Sequence, residues 1–303
     1  PRKSKDPEHF ETFKSSRKNL GKSQKFRHSA LLPGALPEKV SEWVRNWSCW
    51  HYMREYFPIG LVKLEDLPAD KNYLFCGYPH GMLCSGAFGN FVAASPEFKR
   101  LFPGLPPTSS LSTLSWIFSL VNQYAKIKQF GSCSSSRESM TYLLGHPEKG
   151  KAVVLMVGGA SESLYCHPGS YKIILKRRKG FIRVALETGN ARLLVWETDV
   201  FDQVSNPPGS WLLWLQSTLK KVLGVAPCIP LGRGIFQYSF GIAPRRTPIT
   251  TVVGRPIMLP QEPNPSNELV DKYHKIFMEE LMELFEAHKG KYLEDPKTKL
   301  IIE

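Results

Sequence analysis

No stretch of the 303-residue chain reaches the roughly 18 apolar positions that a membrane-spanning helix requires. The longest apolar runs, Ala152 to Val157 and Trp211 to Leu215, are short. A secretory leader pattern is absent as well. The six cysteines, at 49, 76, 84, 133, 166 and 228, stand singly with no CxxC pair. That spacing excludes a zinc ribbon or a disulfide framework and reads as reduced, buried thiols. No His/Cys/Asp/Glu cluster has metal-ligand spacing, so no metal is expected. No GxSxG elbow surrounds Ser161, Ser163 or the Ser132 to Ser136 cluster. Gly232-Arg233-Gly234 is too short for the GxGxxG nucleotide fingerprint. Acid is scarce: 27 Asp and Glu stand against 40 Lys and Arg, a formal charge of +13. This excess calls for an anionic partner such as nucleic acid, anionic lipid or acyl-CoA. Nucleic acid is disfavoured, because zinc-finger spacing, an RNP aromatic box and a basic zipper are all missing.

What is present is enough apolar residue, 42%, for a sizeable core. Residues 1 to 30 hold nine Lys/Arg and three acids. Residues 1–36 are expected to be a poorly ordered basic leader, and 37–303 a single domain. The leader is either a solvated tail or a segment drawn to an anionic membrane face. Glu38 to Phe57 reads as a helix with Val40, Trp43, Val44, Trp47 and Trp50 on one face, started by Pro37 and stopped by Pro58. Three Trp beside Tyr52 and Arg54 suit either a membrane interface or ordinary core packing. Strands are expected at Asn72 to Cys76, Ala152 to Val157, Ala191 to Trp196 and Ile249 to Val253. A second apolar patch spans Leu111 to Val121. Helices are expected at Gly180 to Thr188 and from Ser266 to His288, the latter burying Val270, Tyr273, Phe277, Leu281 and Leu284. Strands alternating with helices predict an α/β fold, a mostly parallel sheet flanked by helices. There is no internal repeat.

Four places could carry chemistry. His80 follows a strand on the turn Gly77-Tyr78-Pro79-His80-Gly81-Met82 and would project from a strand end, where ligands collect in open α/β sheets. An imidazole near its free pKa can take a proton from an alcohol, although a lone turn His is more often structural. Val157-Gly158-Gly159-Ala160-Ser161-Glu162 opens a buried strand into two glycines. Their N–H groups could meet a phosphate or an oxyanion, and Glu162 lies near the same sheet edge. Lys176-Arg177-Arg178-Lys179 places four cations before an apolar helix, either a phosphate clamp or a solvated face. Trp196-Glu197-Thr198-Asp199 puts acids just past a buried strand, where a carboxylate could orient a His. His167 reads as a turn residue. His51, His274 and His288 are on helices.

In this order the blocks resemble the diacylglycerol acyltransferase type 2 family, which also holds monoacylglycerol and acyl-CoA wax alcohol acyltransferases. The resemblance runs from about Val44 to the end. It rests on Tyr56-Phe57-Pro58-Ile59, Tyr78-Pro79-His80-Gly81, Val157-Gly158-Gly159-Ala160 with Glu162, and Arg178-Lys179-Gly180-Phe181. Gly209-Ser210-Trp211, Gly232-Arg233-Gly234 and Pro248 to Gly254 follow. Gly234 to Gly241 and Phe285-Glu286-Ala287-His288-Lys289 look most like the monoacylglycerol branch.

The resemblance implies an acyl-CoA-dependent O-acyltransferase of the endoplasmic reticulum membrane, also at lipid droplets. It would act on monoacylglycerol or diacylglycerol in triacylglycerol synthesis and need no cofactor beyond acyl-CoA as donor. It implies His80 as the base, Glu197 or Glu162 as its orienting carboxylate, and Gly158 and Gly159 as oxyanion donors. Tyr78, Pro79 and Gly81 would line the substrate site, and Arg177, Arg178 and Lys179 would hold CoA phosphates. Departures are visible. Tyr78 replaces the first His of the family's His-Pro-His-Gly, and its Phe-Gly-Glu-Asn block maps onto Val195-Trp196-Glu197-Thr198 without the Gly. The Asp expected shortly beyond the His in related glycerolipid acyltransferases is absent, with Ser85 near its place. The family's amino-terminal membrane hairpin would precede Pro1. A wax alcohol acceptor, or a catalytically inactive lipid-binding homologue, stays open. So does a homo-oligomer.

Overall fold

The computed structural model describes residues 42–110, 135–198 except 168, 202–223, and 227–303 except 235, 237 and 239. The basic leader, the Leu111 to Val121 patch, Cys133 and Asp199 lie outside the described residues. The central sheet has six strands in the order β1 (Ile59–Lys63), β9 (Ile249–Ile257), β6 (Ala191–Glu197), β2 (Tyr73–Tyr78), β4 (Ala152–Met156) and β3 (Pro107–Ser110). All neighbours run parallel except β6 and β9. Two small pairs complete the strands: β5 (Tyr171–Ile173) with β10 (Leu300–Ile302), and β7 (Asp202–Gln203) with β8 (Pro230–Leu231). The expected α/β architecture is present.

The interior strands β2, β4 and β6 are buried at every position, as continuous apolar runs require of a sheet covered on both faces. Side-chain alternation divides them between two cores. Leu74, Cys76, Val153, Leu155, Leu194 and Trp196 face α5 (Arg137–Leu144), α6 (Gly180–Thr188) and α8 (Asn267–Tyr292). Tyr73, Phe75, Val154, Leu193 and Val195 face the other way. There they meet a turn at Phe88–Val92, which follows the helical turn α3 (Ser85–Ala87), and α4 (Pro96–Leu101). Phe75, Phe91, Phe98 and Phe102 form an aromatic knot on that side, with ring centroids 4.8 to 6.5 Å apart.

Helix ends follow sequence chemistry. Ser266 caps α8 by accepting the Leu269 N–H at 3.2 Å, and Gly189, at φ +63°, closes α6 in the left-handed region. The amino-terminal Trp helix differs from expectation. It is broken into α1 (Glu42–Arg45) and α2 (Ser48–Tyr56), with Trp47 extended between them at ψ 139°. The break splits the predicted face: Val44 is buried, Trp43 and Trp47 are exposed, and Trp50 stacks edge-on to Phe88 at 4.9 Å. Cys49 is exposed, so the reading of all thiols as buried fails there. The remaining long helix, α7 (Trp211–Leu223), leads to the 227–246 segment.

Candidate active site

The carboxyl ends of β2, β4 and β6 reach one edge of the sheet, and the start of β9 joins them because it runs antiparallel to β6. Four chain segments therefore converge: the His80 turn after β2, the Gly158 to Tyr165 segment after β4, Glu197 closing β6, and Thr251 opposite it. This is the edge where parallel strands present their ends to ligands.

His80 enters this corner after a cis Tyr78–Pro79 bond. Its side chain is 2% exposed. Among the described residues, ring Nδ1 meets the Gly81 carbonyl at 2.9 Å and the Ser163 hydroxyl at 3.1 Å. A carbonyl only accepts, so Nδ1 carries the proton and Nε2 keeps the lone pair. Nε2 is buried and has no hydrogen-bond partner among the described residues. Burial lowers the ring pKa to about 4, against a smaller upward pull from the Gly81 carbonyl. The side chain is therefore a neutral imidazole with its basic nitrogen unused.

The carboxylate roles differ from expectation. Glu162 accepts the His80 backbone N–H at 2.6 Å and the Ile174 N–H at 2.7 Å. It thus fixes the position of the turn, not the ring tautomer. Its carboxyl fits only because residue 158 is glycine: a Cβ there would stand 2.0 Å from the Glu162 carboxyl carbon. Glu197 lies under α3, its Oε2 2.7 Å and Thr251 Oγ1 2.9 Å from the place a Cβ on Gly86 would occupy. It makes no hydrogen bond to the His80 ring. Strand alternation explains this, because Glu197 shares the face of Leu193 and Val195.

The expected substrate residues divide. Gly158 and Gly159 adjoin the Glu162–His80 contact, with Gly159 at φ +62° where the chain turns into the Gly159–Tyr165 helical segment. Pro79 and Gly81 flank His80. Arg178 reaches this corner through Nη2, 3.4 Å from the Gly158 carbonyl. Lys179 is instead tied to Asp271 of α8 at 2.7 Å, and Arg177 is exposed. Tyr78 feels the charges of Glu162 and Arg178. It is buried in the core, 6.1 Å from the Phe277 ring, because position 78 shares the face of Leu74 and Cys76.

Sequence reasoning passed over several residues. Ser163 touches the imidazole itself. Behind it a polar strap holds the segment: Gln203 Nε2 donates to the Ser163 and Leu164 carbonyls at 3.2 and 2.6 Å, and Asn206 Nδ2 donates to Leu164 at 2.9 Å. His167, read as a turn residue, joins the strap between Asp202 at 3.0 Å and Asn206 at 3.2 Å. Arg192 was also missed. It is 0% exposed, stacks 5.2 Å from the Phe277 centroid, and among the described residues has no hydrogen-bond partner on any of its three nitrogens. Burial lowers its pKa to about 10.

The family model described as diacylglycerol acyltransferase matches residues 36–303. Among curated proteins, the chain is 46% identical to 2-acylglycerol O-acyltransferase 1 of Bos taurus, over 83% of this chain and 76% of that protein. It is 46% identical to 2-acylglycerol O-acyltransferase 3 of Homo sapiens, over 82% and 74%. Diacylglycerol O-acyltransferase 2 of Homo sapiens is 41% identical over 83% and 66%. Among solved structures, the 1-acyl-sn-glycerophosphate acyltransferase of Thermotoga maritima aligns over 92% of this chain and 90% of its own, with 13% identity and a TM-score of 0.40.

Proposed function

The chain belongs to the diacylglycerol acyltransferase family, and from that premise we propose that it is an O-acyltransferase acting on acylglycerols in triacylglycerol synthesis, with His80 as its base. The observation that carries this is the buried His80 Nε2, held neutral and unpartnered at the sheet edge. The donor is acyl-CoA. The acceptor is monoacylglycerol or diacylglycerol, in keeping with the names of the relatives.

The step follows from the ring geometry. The acylglycerol hydroxyl gives its proton to Nε2 as its oxygen attacks the thioester carbonyl carbon. The carbonyl π pair moves to oxygen, and the N–H groups of Gly158 and Gly159 meet that oxyanion. On collapse the C–S bond breaks, and the CoA thiolate takes the proton back from Nε2. The ester is formed and His80 returns to its neutral state. With Nδ1–H held by Gly81, the tautomer is set before substrate arrives. Arg178, with Arg177 beside it, meets the CoA phosphates; Lys179 is committed to Asp271. The enzyme works at the endoplasmic reticulum membrane and on lipid droplets, because both acyl chains are insoluble in water. None of the described helices is long and apolar enough to cross a membrane.

The test is His80→Ala in microsomes supplied with labelled oleoyl-CoA and monoacylglycerol. Loss of about 10²–10⁴ in rate is expected for removal of the base; equal product from variant and parent would end this reading. The pH profile sharpens it. The base works when neutral, and its folded pKa lies below the ordinary 6.5. Activity should therefore stay flat as pH falls through 6.5 and decline only near 4. The same depression makes the unfolded chain bind the proton first, so stability is lost as pH falls across that window.

A further inference from the structure

Helix α7 is built inside out. Among its described side chains the buried one is a glutamine: Gln216, 2% exposed, donates to the Pro227 carbonyl at 3.0 Å and accepts from Asn206 at 2.7 Å. Its outer side carries Trp211 (74% exposed), Trp214 (68%), Leu215 and Val222 (75%). These lie at i, i+3, i+4 and i+11, so they form one stripe. A helix normally turns that stripe to the core and leaves Gln and Lys to water.

The charge along this part of the chain is as uneven. From Gln203 to Gln261 the chain has no acidic residue, and it holds Lys220, Lys221, Arg233, Arg245, Arg246 and Arg255. Near α7, the following segment also exposes Phe236, Tyr238 and Ile242. Indole and phenol favour a boundary with one dry and one wet side, and cations without neighbouring acids favour anionic headgroups.

We propose that the outer face of α7, Trp211, Trp214, Leu215 and Val222, docks on an anionic lipid surface. This rests on the acyltransferase reading and names the partner of that site. The inner face of α7 backs the catalytic segment: Lys220 Nζ bonds the Ser161 hydroxyl, and Gln216 holds Asn206, which holds the Leu164 carbonyl. Between these contacts lie Glu162 and Ser163, whose side chains touch the backbone N–H and the ring of His80. Docking through α7 therefore sets the His80 corner against the bilayer in which an acylglycerol is dissolved. A second copy of the chain is disfavoured as occupant, since the exposed Lys221 and the acid-free 203–261 stretch would meet their own like in the partner copy.

The experiment is co-sedimentation of the full chain with phosphatidylcholine vesicles containing phosphatidylserine, comparing the parent with the double variant Trp211→Ser/Trp214→Ser. Partition should fall at least tenfold with an unchanged thermal midpoint, whereas Trp43→Ser/Trp47→Ser should change it less than threefold. Neutral phosphatidylcholine vesicles should bind the parent more weakly than anionic ones. Unchanged partition of the α7 variant, or equal binding to neutral and anionic vesicles, would overturn the proposal. So would a dimeric parent that becomes monomeric in the variant while vesicle binding persists. Activity separates this from the underlying reading. The variant should match the parent on detergent-dispersed acceptor and lose turnover on vesicle-borne acceptor. Silence of both proteins in detergent would refute acyl transfer itself.

Discussion

Helices α7 and α8 both start after a serine whose hydroxyl accepts an N–H three residues on, at 3.2 Å in each case. Both carry a full stripe of large apolar side chains, yet they turn it in opposite directions. Helix α8 lays Val270, Phe277, Leu281, Leu284 and Phe285 against the sheet and shows Lys and Glu to water. Helix α7 shows water its tryptophans and hides a glutamine. The difference teaches that an apolar stripe identifies a helix that needs a dry neighbour, without saying that the neighbour is the protein's own core. One stripe stabilises the fold and the other is left for a surface outside it.

The largest break in this comparison should come from α8. Phe277 has no exposure and packs on Tyr78, Phe181 and Arg192. Phe277→Ala should destabilise by about 3–5 kcal/mol through lost burial and a residual cavity, read as a lower denaturation midpoint. The next effect has the opposite sign. Arg192 beneath α8 is a buried guanidinium with no acceptor, so Arg192→Met should raise stability by roughly 1–4 kcal/mol. A fall in chemical-denaturation midpoint would show that the cation is satisfied in solution. Smaller is Gln216→Ala on α7, about 1–3 kcal/mol, since it strands the Asn206 amide and the Pro227 carbonyl. Its signature is a lower kcat with little change in acceptor KM, because the strap behind Ser163 loosens. At the bottom of the scale, Trp214→Ala should change stability by less than about 0.5 kcal/mol. A loss near that of Phe277→Ala would mean that α7 is packed on protein after all.

Much of this molecule is legible before folding. Continuous apolar runs at Ala152 and Ala191 announced strands covered on both faces, and Ser266 announced the start of α8. His80 was visible as a candidate because a Pro-Gly turn after a strand is a local feature. The division of labour around it was not. Glu162 was found, but its grip on a backbone N–H depends on where the Gly158 turn folds. Glu197 was placed on the ring by position in the chain, and strand alternation sends it to the opposite face. Ser163 and Gln203 carry no signal of their own, since a serine beside a glutamate and a lone glutamine are common everywhere.

The sequence by itself determined the strands, the helices, the excess of positive charge and the candidacy of His80, since each follows from neighbours a few residues apart. Only the tertiary structure decided which groups touch His80, why the Tyr78 ring is buried against Phe277, and that α7 wears its core outside. Those outcomes depend on contacts between segments far apart in the chain, such as His80 with Glu162 and Tyr78 with Phe277, and no local pattern encodes the register in which distant segments meet.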